Sequence, residues 1–553
     1  MIDPTLRSRV EAWRDDDPDP TSVAALDALL DAGDVGGLRQ CFEVPLTFGT
    51  AGLRGPLRPG PGGMNRSVVR RTAAAIARWL DQSDLDGPVV VGRDARHGSA
   101  DFADDTARVI AATGRPVVLC ADPIPTPLLA FAVLDLGAAA GVMVTASHNP
   151  ATDNGYKVYA AHGAQIAPPM DTEIATEIAG IDSVSSLPLA PLDDRLITPL
   201  PDGVRAGYLT SVAAARTSAS AVDLRVAYTP MHGVGGRLLA EAFAVAGLAP
   251  PEIVAAQAEP DPEFPTVRFP NPEEPGAMDL VLALAEETDA DLAIANDPDA
   301  DRLAVAVPCV SGGWRTLTGD EVGALLADHL LRAGSGSDRL VATTVVSSSL
   351  LSRIAETHGV AFVETLTGFK WLAHAARERP GLRLALAYEE ALGYCIGDAV
   401  HDKDGISAAV VVVEMVGALR DAGSSVAERL DDLARAHGLH LTAQWSNRFD
   451  GSTGVATMTA RVDGLRASPP ATLGGLRIES IDDLRTGERL PPTDAVVLRG
   501  NGLRVTVRPS GTEPKLKAYV EVVAPVTGRV AAARGLAESR LADVLADVAA
   551  LLG

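Results

Sequence analysis

The sequence predicts an α/β protein of four units, three of α/β type followed by a C-terminal α+β unit. Three observations carry this. At 553 residues the chain is long for a single core, and at ~100–200 residues per domain it accommodates three to five domains. Apolar strands alternate with segments of helical periodicity between residues 69 and 421, the pattern of mostly parallel sheets with helices packed on them. From residue 441 onward the pattern changes to short strands and turns.

The elements follow in order. A charged, proline-containing start reads as helix and loop. Helical periodicity over 69–80, an apolar strand over 88–92 and a helix over 101–113 open the first unit. Strands over 116–120 and 141–144 follow, with a helix between them. Residues 183–203, rich in Ser, Pro, Leu and Asp, mark a boundary and bound the first unit at 1–203. The second unit, 204–313, starts with a strand over 224–228. It passes through Thr229-Pro-Met-His232-Gly-Val-Gly-Gly236 into a helix and closes with strands over 292–295 and 303–307. His232 reads as a loop-shaping residue. The third unit, 314–440, holds a helix over 319–331, strands over 340–346 and 384–387 and a long helix over 406–421. The fourth, 441–553, has strands over 457–462, 503–507 and 517–523 and a final helix over 530–552.

Composition narrows the function. Hydrophobic residues at 47% and charged residues at 22% are those of a folded globular protein, so disorder is excluded. A net charge of −24 argues against nucleic acid or an anionic membrane as partner, and a negatively charged substrate requires a locally basic pocket. Cys41, Cys120, Cys309 and Cys395 are isolated, without the spacing of a zinc site or disulfide framework. The start, Met1-Ile-Asp-Pro-Thr-Leu-Arg-Ser-Arg-Val10, lacks the apolar run of a signal peptide, and no stretch is long and apolar enough to span a bilayer. The expected location is cytoplasmic; oligomeric state is left open. The basic residues are overwhelmingly arginine, and lysine occurs only at 157, 370, 403, 515 and 517. Each lies in or beside a segment singled out below, where a compact, titratable ammonium has a use.

Five segments hold groups able to do chemistry. The apolar strand ending at Val144 runs into Thr145-Ala-Ser147-His148-Asn-Pro150, which is either a polar turn or a loop holding Ser147 as a nucleophile. Asp297-Pro-Asp299-Ala-Asp301-Arg302 follows a strand of buried type, and its three alternating carboxylates can converge on one hard cation. Mg²⁺ fits better than Ca²⁺, because three protein ligands leave room for phosphate oxygen; the other reading is a solvated acidic loop. Arg302 stands beside that trio. Arg508-Pro-Ser510-Gly511-Thr512-Glu513-Pro-Lys515 concentrates guanidinium, hydroxyl, backbone and ammonium donors and reads as a phosphate-binding loop rather than a plain Gly/Pro turn. Phe48-Gly-Thr50-Ala-Gly52-Leu-Arg54-Gly55 offers similar ingredients, with Arg54 as the group for a transferring phosphoryl. Tyr388-Glu389-Glu390-Ala391-Leu-Gly-Tyr394 is either an acidic pair at a helix start or a pair accepting bonds from sugar hydroxyls. Asp402-Lys403-Asp404-Gly405 is expected to bring an amine to that pocket.

Together and in this order these five motifs resemble the α-D-phosphohexomutase superfamily over nearly the whole chain. The resemblance implies four domains around a central cleft, the first three α/β with mixed sheets and the last α+β. It implies a Ser147 that carries a phosphoryl group, with Mg²⁺ held by Asp297, Asp299, Asp301 and a Ser147 phosphate oxygen. It further implies a small phosphosugar substrate converted through a bisphosphorylated sugar of the glucose 1,6-bisphosphate type. Position by position, Arg54 and Arg302 flank the phosphoryl group, with Thr50 in the loop before Arg54, and His148 and Lys157 belong to the catalytic loop region. Lys157 and Lys403 match proton carriers; a lysine base needs a pKa lowered by neighbouring charge or burial, which Arg54 and the metal are expected to provide. Thr367-Gly368-Phe-Lys370 and Glu389 with Glu390 match the sugar-reading loops, and Arg508, Ser510, Gly511, Thr512 and Lys515 the remote phosphate site. Ala391 departs from the serine of many members, and the Glu-Glu-Ala-Leu-Gly form looks most like the phosphoglucomutase-2 branch. The expected activity is interconversion of hexose 1- and 6-phosphates, glucose and/or mannose, with pentose 1- and 5-phosphates as the alternative. A phosphatase would need no second phosphate clamp, and an inactive binder would be expected to lose Ser147 or an aspartate.

Overall fold

The computed structural model describes residues 2–50, 52–449, 454–510 and 515–553. The chain divides into two compact units: Met1–Leu317 with Gly393–Glu414, and Thr318–Leu392 with Met415–Gly553. No described helix is long and apolar enough to cross a membrane.

The first unit begins with three short helices, Pro4–Asp16, Pro20–Asp31 and Val35–Phe42, each started by an aspartate side chain that accepts a backbone N–H. They close a small core of Leu6, Val10, Leu26, Leu38, Cys41 and Phe42. A six-stranded sheet follows, in the order Leu53–Pro56, Asp153–Ala160, Ala140–Val144, Val89–Arg93, Val117–Leu119, Ile197–Pro199. Val89–Arg93 pairs in parallel with both neighbours, whereas Asp153–Ala160 runs antiparallel to Ala140–Val144 and to Leu53–Pro56. The sheet is therefore mixed, because the chain leaves Ala140–Val144 by a tight turn rather than a helical crossover. Ala140–Val144 is buried at every position, as expected for a strand covered on both faces. A second sheet has the order Trp314–Thr316, Ala304–Pro308, Leu292–Ala295, Val226–Thr229, Glu252–Ile253. Its centre, Val226–Thr229 with Leu292–Ala295, is parallel, and Ala304–Pro308 returns antiparallel.

In the second unit, Arg339–Thr344 pairs in parallel with Ala361–Thr365 and Arg383–Glu389, between helices such as Gly319–Ala333 and Leu350–His358. The C-terminal sheet is wholly antiparallel, in the order Leu439–Arg448, Lys515–Ala524, Leu503–Pro509, Val496–Gly500, Ser480–Asp483. Helix Val530–Leu552 closes it. Three α/β assemblies and a C-terminal α+β assembly are thus the architecture. One element differs in type from the expectation: the strand expected over 457–462 lies inside helix Gly454–Ala467. Met458, Val462 and Leu465, spaced by four and three residues, form its buried stripe in the C-terminal core, so helical spacing outweighs the Thr and Val content. The strand expected over 340–346 ends at Thr344, and residues beyond it turn.

Candidate active site

In the first unit, three strand ends place the reactive groups. Ser147 follows Ala140–Val144 in a left-handed backbone conformation, φ 53°, uncommon for a residue with a side chain. Its N–H donates to the Thr145 hydroxyl at 2.9 Å, and its own hydroxyl donates to Asp297 Oδ2 at 2.7 Å. His148 Nδ1 lies 3.2 Å from the same Ser147 oxygen. Arg96, unmarked by any sequence motif, fixes this turn from beneath. Its guanidinium donates to the carbonyls of Ser147, Asn149, Pro150 and Asp153 at 2.5–3.2 Å, while Asp94 holds its Nε side at 3.3 Å. Arg96 and Asp94 follow the strand Val89–Arg93, parallel to and beside the strand that leads to Ser147. That shared strand end was the available signal.

The carboxylate trio leaves Leu292–Ala295 in a turn locked by its own backbone and by the preceding loop. Asp297 Oδ1 accepts the Arg302 N–H at 3.0 Å, and Ala300 adopts φ 56°. Val234 N–H donates to the Pro298 carbonyl at 2.8 Å, and a Cβ on Gly233 would meet Pro298 Cα at 2.3 Å. Only glycine allows that approach. His232 shapes the same loop, as expected, with Nε2 2.8 Å from the Thr266 hydroxyl. Thr126, also missed from the sequence, donates through its hydroxyl to Asp299 Oδ2 at 2.6 Å and through its N–H to the Asp299 carbonyl at 2.9 Å.

Asp297, Asp299 and Asp301 are fully buried or nearly so, and each offers an oxygen within 4.8 Å of the others. Lys157 Nζ donates to Asp299 at 2.6 Å and to Asp301 at 2.8 Å, and Lys403 Nζ lies 3.3 Å from Asp301. Lys403 is thus placed at the acidic trio in its own unit, held by Asp402, which also accepts from Tyr159 at 2.7 Å and Gln165 at 2.9 Å. Burial together with the Asp299 and Asp301 charges drives the Asp297 pKa well up. Burial opposes ionisation of Asp301 as well, but Lys157, Lys403 and Arg302 outweigh it and bring its pKa down. At Lys157 the two carboxylates in contact with the ammonium decide its charge. Burial favours the neutral amine, yet Asp299 and Asp301 overcome it and raise its pKa. His148 is driven well down by burial and by Arg302 and Arg54, so its imidazole is neutral.

Oδ1 of Asp299 and Oδ1 of Asp301 are buried and accept no hydrogen bond from any described residue. Buried carboxylate oxygens left over in this way suit a hard divalent cation, and the trio with Ser147 would hold it. Arg54 donates to Asn149 Oδ1 at 3.2 Å. It sits on the strand Leu53–Pro56, directly opposite Gly155. Gly52 just before it is obligatory, since a Cβ there would meet the Tyr156 carbonyl oxygen at 1.8 Å. Thr50 is half-buried in the turn that leads in. Arg302 stands beside Asp301, with Glu273 3.4 Å from its guanidinium.

In the second unit, Glu389 ends the strand Arg383–Glu389 and is buried. Glu390 Oε2 accepts from the Ser347 hydroxyl at 3.0 Å, and the Glu390 N–H donates back to that hydroxyl at 3.1 Å. Burial, then the charges of Glu389 and Asp320, push the Glu390 pKa up to about 7. The two carboxylates are therefore not a solvated pair. Gly319 lets the Glu390 carbonyl pass, as a Cβ there would lie 2.0 Å from it. Thr367 precedes Gly368, whose φ of 109° starts helix Phe369–Arg377, and the Lys370 ammonium lies over the Trp371 ring at 5.9 Å. Arg508 is the last residue but one of the strand Leu503–Pro509 and hydrogen-bonds the Tyr519 hydroxyl. The Ser510 N–H donates to the Lys515 carbonyl at 2.7 Å, which closes the loop at its base. Gly511 and Thr512 lie outside the described residues.

A serine on a strained turn against a buried acidic trio, flanked by arginines, defines a phosphoryl-transfer site. Models of the four phosphoglucomutase/phosphomannomutase domains match the chain in order: α/β/α domain I over residues 45–185, domain II over 206–312, domain III over 318–436 and the C-terminal domain over 478–531. A protein of Haemophilus influenzae assigned as a phosphomannomutase is 41% identical over 465 residues, covering 83% of this chain and 93% of that protein. The Homo sapiens phosphopentomutase is 37% identical over 568 residues, covering 95% of this chain and 92% of that protein. The crystal structure of a Thermus thermophilus protein assigned as a phosphomannomutase has a TM-score of 0.68 at 27% identity, covering 90% of this chain and 99% of that one. The chain belongs to the phosphoglucomutase/phosphomannomutase family of the α-D-phosphohexomutase superfamily, whose members are intramolecular phosphotransferases.

Proposed function

We propose that this enzyme interconverts the 1-phosphate and 6-phosphate of a hexose, glucose and/or mannose, through a phosphoryl group carried on Ser147 and a bisphosphorylated sugar. The observation that carries the reading is the Ser147 hydroxyl, 2.7 Å from Asp297 in a buried acidic cluster with Arg54 and Arg302 nearby. In the forward half, the bond between phosphorus and Ser147 Oγ breaks as phosphorus bonds to a sugar hydroxyl oxygen. The hydroxyl proton passes to a basic group, His148 with its neutral imidazole or Lys403, while Lys157, whose ammonium Asp299 and Asp301 hold charged, offsets negative charge beside them. In the return half the other phosphoryl moves from sugar to Ser147, so the enzyme ends as it began. Arg54 and Arg302 offset charge on the transferring group. Thr50, Thr367, Gly368, Lys370, Glu389 and Glu390 orient the sugar, and Arg508, Ser510, Gly511, Thr512 and Lys515 hold the phosphate that is not transferred. Mg²⁺ held by Asp297, Asp299, Asp301 and Ser147 would add positive charge at the reacting phosphorus.

We read the modules as 1–203, 204–313, 314–440 and 441–553; each family-model match falls inside one of them. A second reading, the interconversion of pentose 1- and 5-phosphates, is favoured by Ala391, which offers no hydroxyl to a hexose, and by the phosphopentomutase that aligns with 95% of the chain. Turnover of glucose 1-phosphate, mannose 1-phosphate and ribose 1-phosphate, each with a bisphosphate activator, separates the two. Preference for ribose would overturn the hexose reading. Ser147→Ala is expected to abolish turnover and to remove the phosphorylated fraction from the intact mass; near-normal activity would sink the phosphoserine mechanism.

A further inference from the structure

The phosphate loop and the sugar-reading carboxylates belong to separate sheets of the second unit, yet a charged bracket joins them. The phosphate loop caps a hairpin made by Leu503–Pro509 and Lys515–Ala524. Near the other end of that hairpin, Arg504 and Glu521 stand directly opposite each other, 6% and 3% exposed, with their charged ends 3.0 Å apart. Arg504 lies four residues before Arg508, so both project from the same face of one strand.

Both members of this cross-strand pair grip the turn 347–349, which follows the strand Arg339–Thr344. Arg504 donates to the Ser347 carbonyl. Glu521 accepts from the Ser348 hydroxyl and the Ser349 N–H, each at 2.7 Å. Asp320 takes the Ser348 N–H at 2.6 Å and is held in turn by Thr442 at 2.8 Å. Another polar group of the turn, the Ser347 hydroxyl, donates to the Glu390 carboxylate and accepts the Glu390 N–H. Thr344 lies 2.8 Å from that hydroxyl, which is thereby satisfied on all sides.

Docking alone does not require this chemistry. The same contact already has an apolar seam of Val345, Val346, Leu366, Leu484, Ala495, Val497 and Tyr519. A buried guanidinium–carboxylate pair is often no more stabilising than apolar packing in its place, whereas its hydrogen bonds are directional.

We propose that Ser347 and Arg504 are positioning residues that tie the sugar-reading Glu390 to the strand bearing the phosphate loop, so that sugar ring and remote phosphate are recognised in one register. The inference rests on the mutase reading of this site. Arg504 orients the turn through the Ser347 carbonyl, and Ser347 orients Glu390 at both its backbone and its carboxylate. Neither touches substrate.

The test is a double-mutant cycle read by steady-state kinetics on glucose 1-phosphate or ribose 1-phosphate, whichever the wild type turns over faster. S347A is expected to lower kcat/KM about tenfold, mostly through KM, because a lost bond to a carboxylate is worth about a factor of ten or more. In an E390A background, which removes the carboxylate that the Ser347 hydroxyl bonds, the same change is expected to cost less than about twofold, since residues that act through one another are non-additive. R504K, which keeps the charge but not the fork, should show the same dependence on Glu390. Thermal unfolding of each variant separates loss of fold from loss of register. Additive losses in a folded, active series would overturn the inference alone. A wild type without mutase turnover on any of the three sugar phosphates would overturn the functional reading and this inference with it.

Discussion

Glu390→Gln should make the protein more stable at neutral and alkaline pH while leaving it almost unchanged near pH 4.5. The Glu390 carboxyl is pushed from 4.5 up to about 7, first by burial and then by the Glu389 and Asp320 charges. Below pH 4.5 it is protonated in both the folded and unfolded chain. Between 4.5 and about 7 the unfolded chain releases the proton and the folded one retains it, so stability falls as pH rises and stays reduced above 7. At about 1.4 kcal/mol per pH unit this amounts to about 3 kcal/mol as an upper bound. Part of Glu390 remains in contact with solvent, which screens it and leaves about 1–2 kcal/mol. The glutamine amide keeps an oxygen for Ser347 and carries no charge against Glu389. At about 2–4 °C per kcal/mol for a domain of 150–250 residues, the variant should unfold about 2–8 °C above wild type at pH 8. Thermal unfolding of both proteins from pH 4.5 to 8.5 measures this. A midpoint difference that is flat across that range would refute the argument, whatever the activity of the variant. Loss of sugar recognition alongside gained stability would show strain held at a working site.

Two further outcomes follow from the first unit. Arg96→Lys retains a charge beside Asp94 but cannot reach the carbonyls of Ser147, Asn149, Pro150 and Asp153 together, so kcat should fall about 10- to 100-fold. Single-turnover and steady-state rates would check it, and an unchanged kcat would show that the turn holds itself. Thr126→Val removes the 2.6 Å bond to Asp299 with little change of volume. The Mg²⁺ concentration for half-activation should rise about tenfold or more, as for other groups that orient a metal ligand. A Mg²⁺ titration followed by both activity and thermal shift would detect it, and overlapping curves for variant and wild type would exclude the role.

Much of this protein was legible along the chain because its signals are local. Alternating apolar strands and helical stripes depend on residues a few positions apart, and they indicated most central strands, though not the interior strands Asp153–Ala160 and Val496–Gly500. A further exception, helix Gly454–Ala467, has a sparse stripe that the β-branched residues around it obscure. The serine turn and acidic trio were also visible, since each concentrates its groups in a few consecutive residues. Side chains that work at a distance left no such mark. Arg96 looked like one arginine among many, and its role exists only because parallel pairing of Val89–Arg93 with Ala140–Val144 sets it under the Ser147 turn. Thr126 is 173 residues from Asp299, and Arg504 is 157 from Ser347.

The sequence by itself determined the fold class, the family and the consecutive groups of the candidate site, because strand and helix periods and compact motifs are written in neighbouring residues. The tertiary structure alone decided their charge states and orientation. Lys157 has a raised pKa, because folding sets Asp299 and Asp301 within 2.8 Å of its ammonium. Glu390 gains a pKa of about 7 because folding buries it beside Glu389 and Asp320. Both shifts depend on burial and on charge that folding brings close, Asp299 and Asp301 for Lys157 and Asp320 beside the neighbouring Glu389 for Glu390, and linear order carries no record of that closeness.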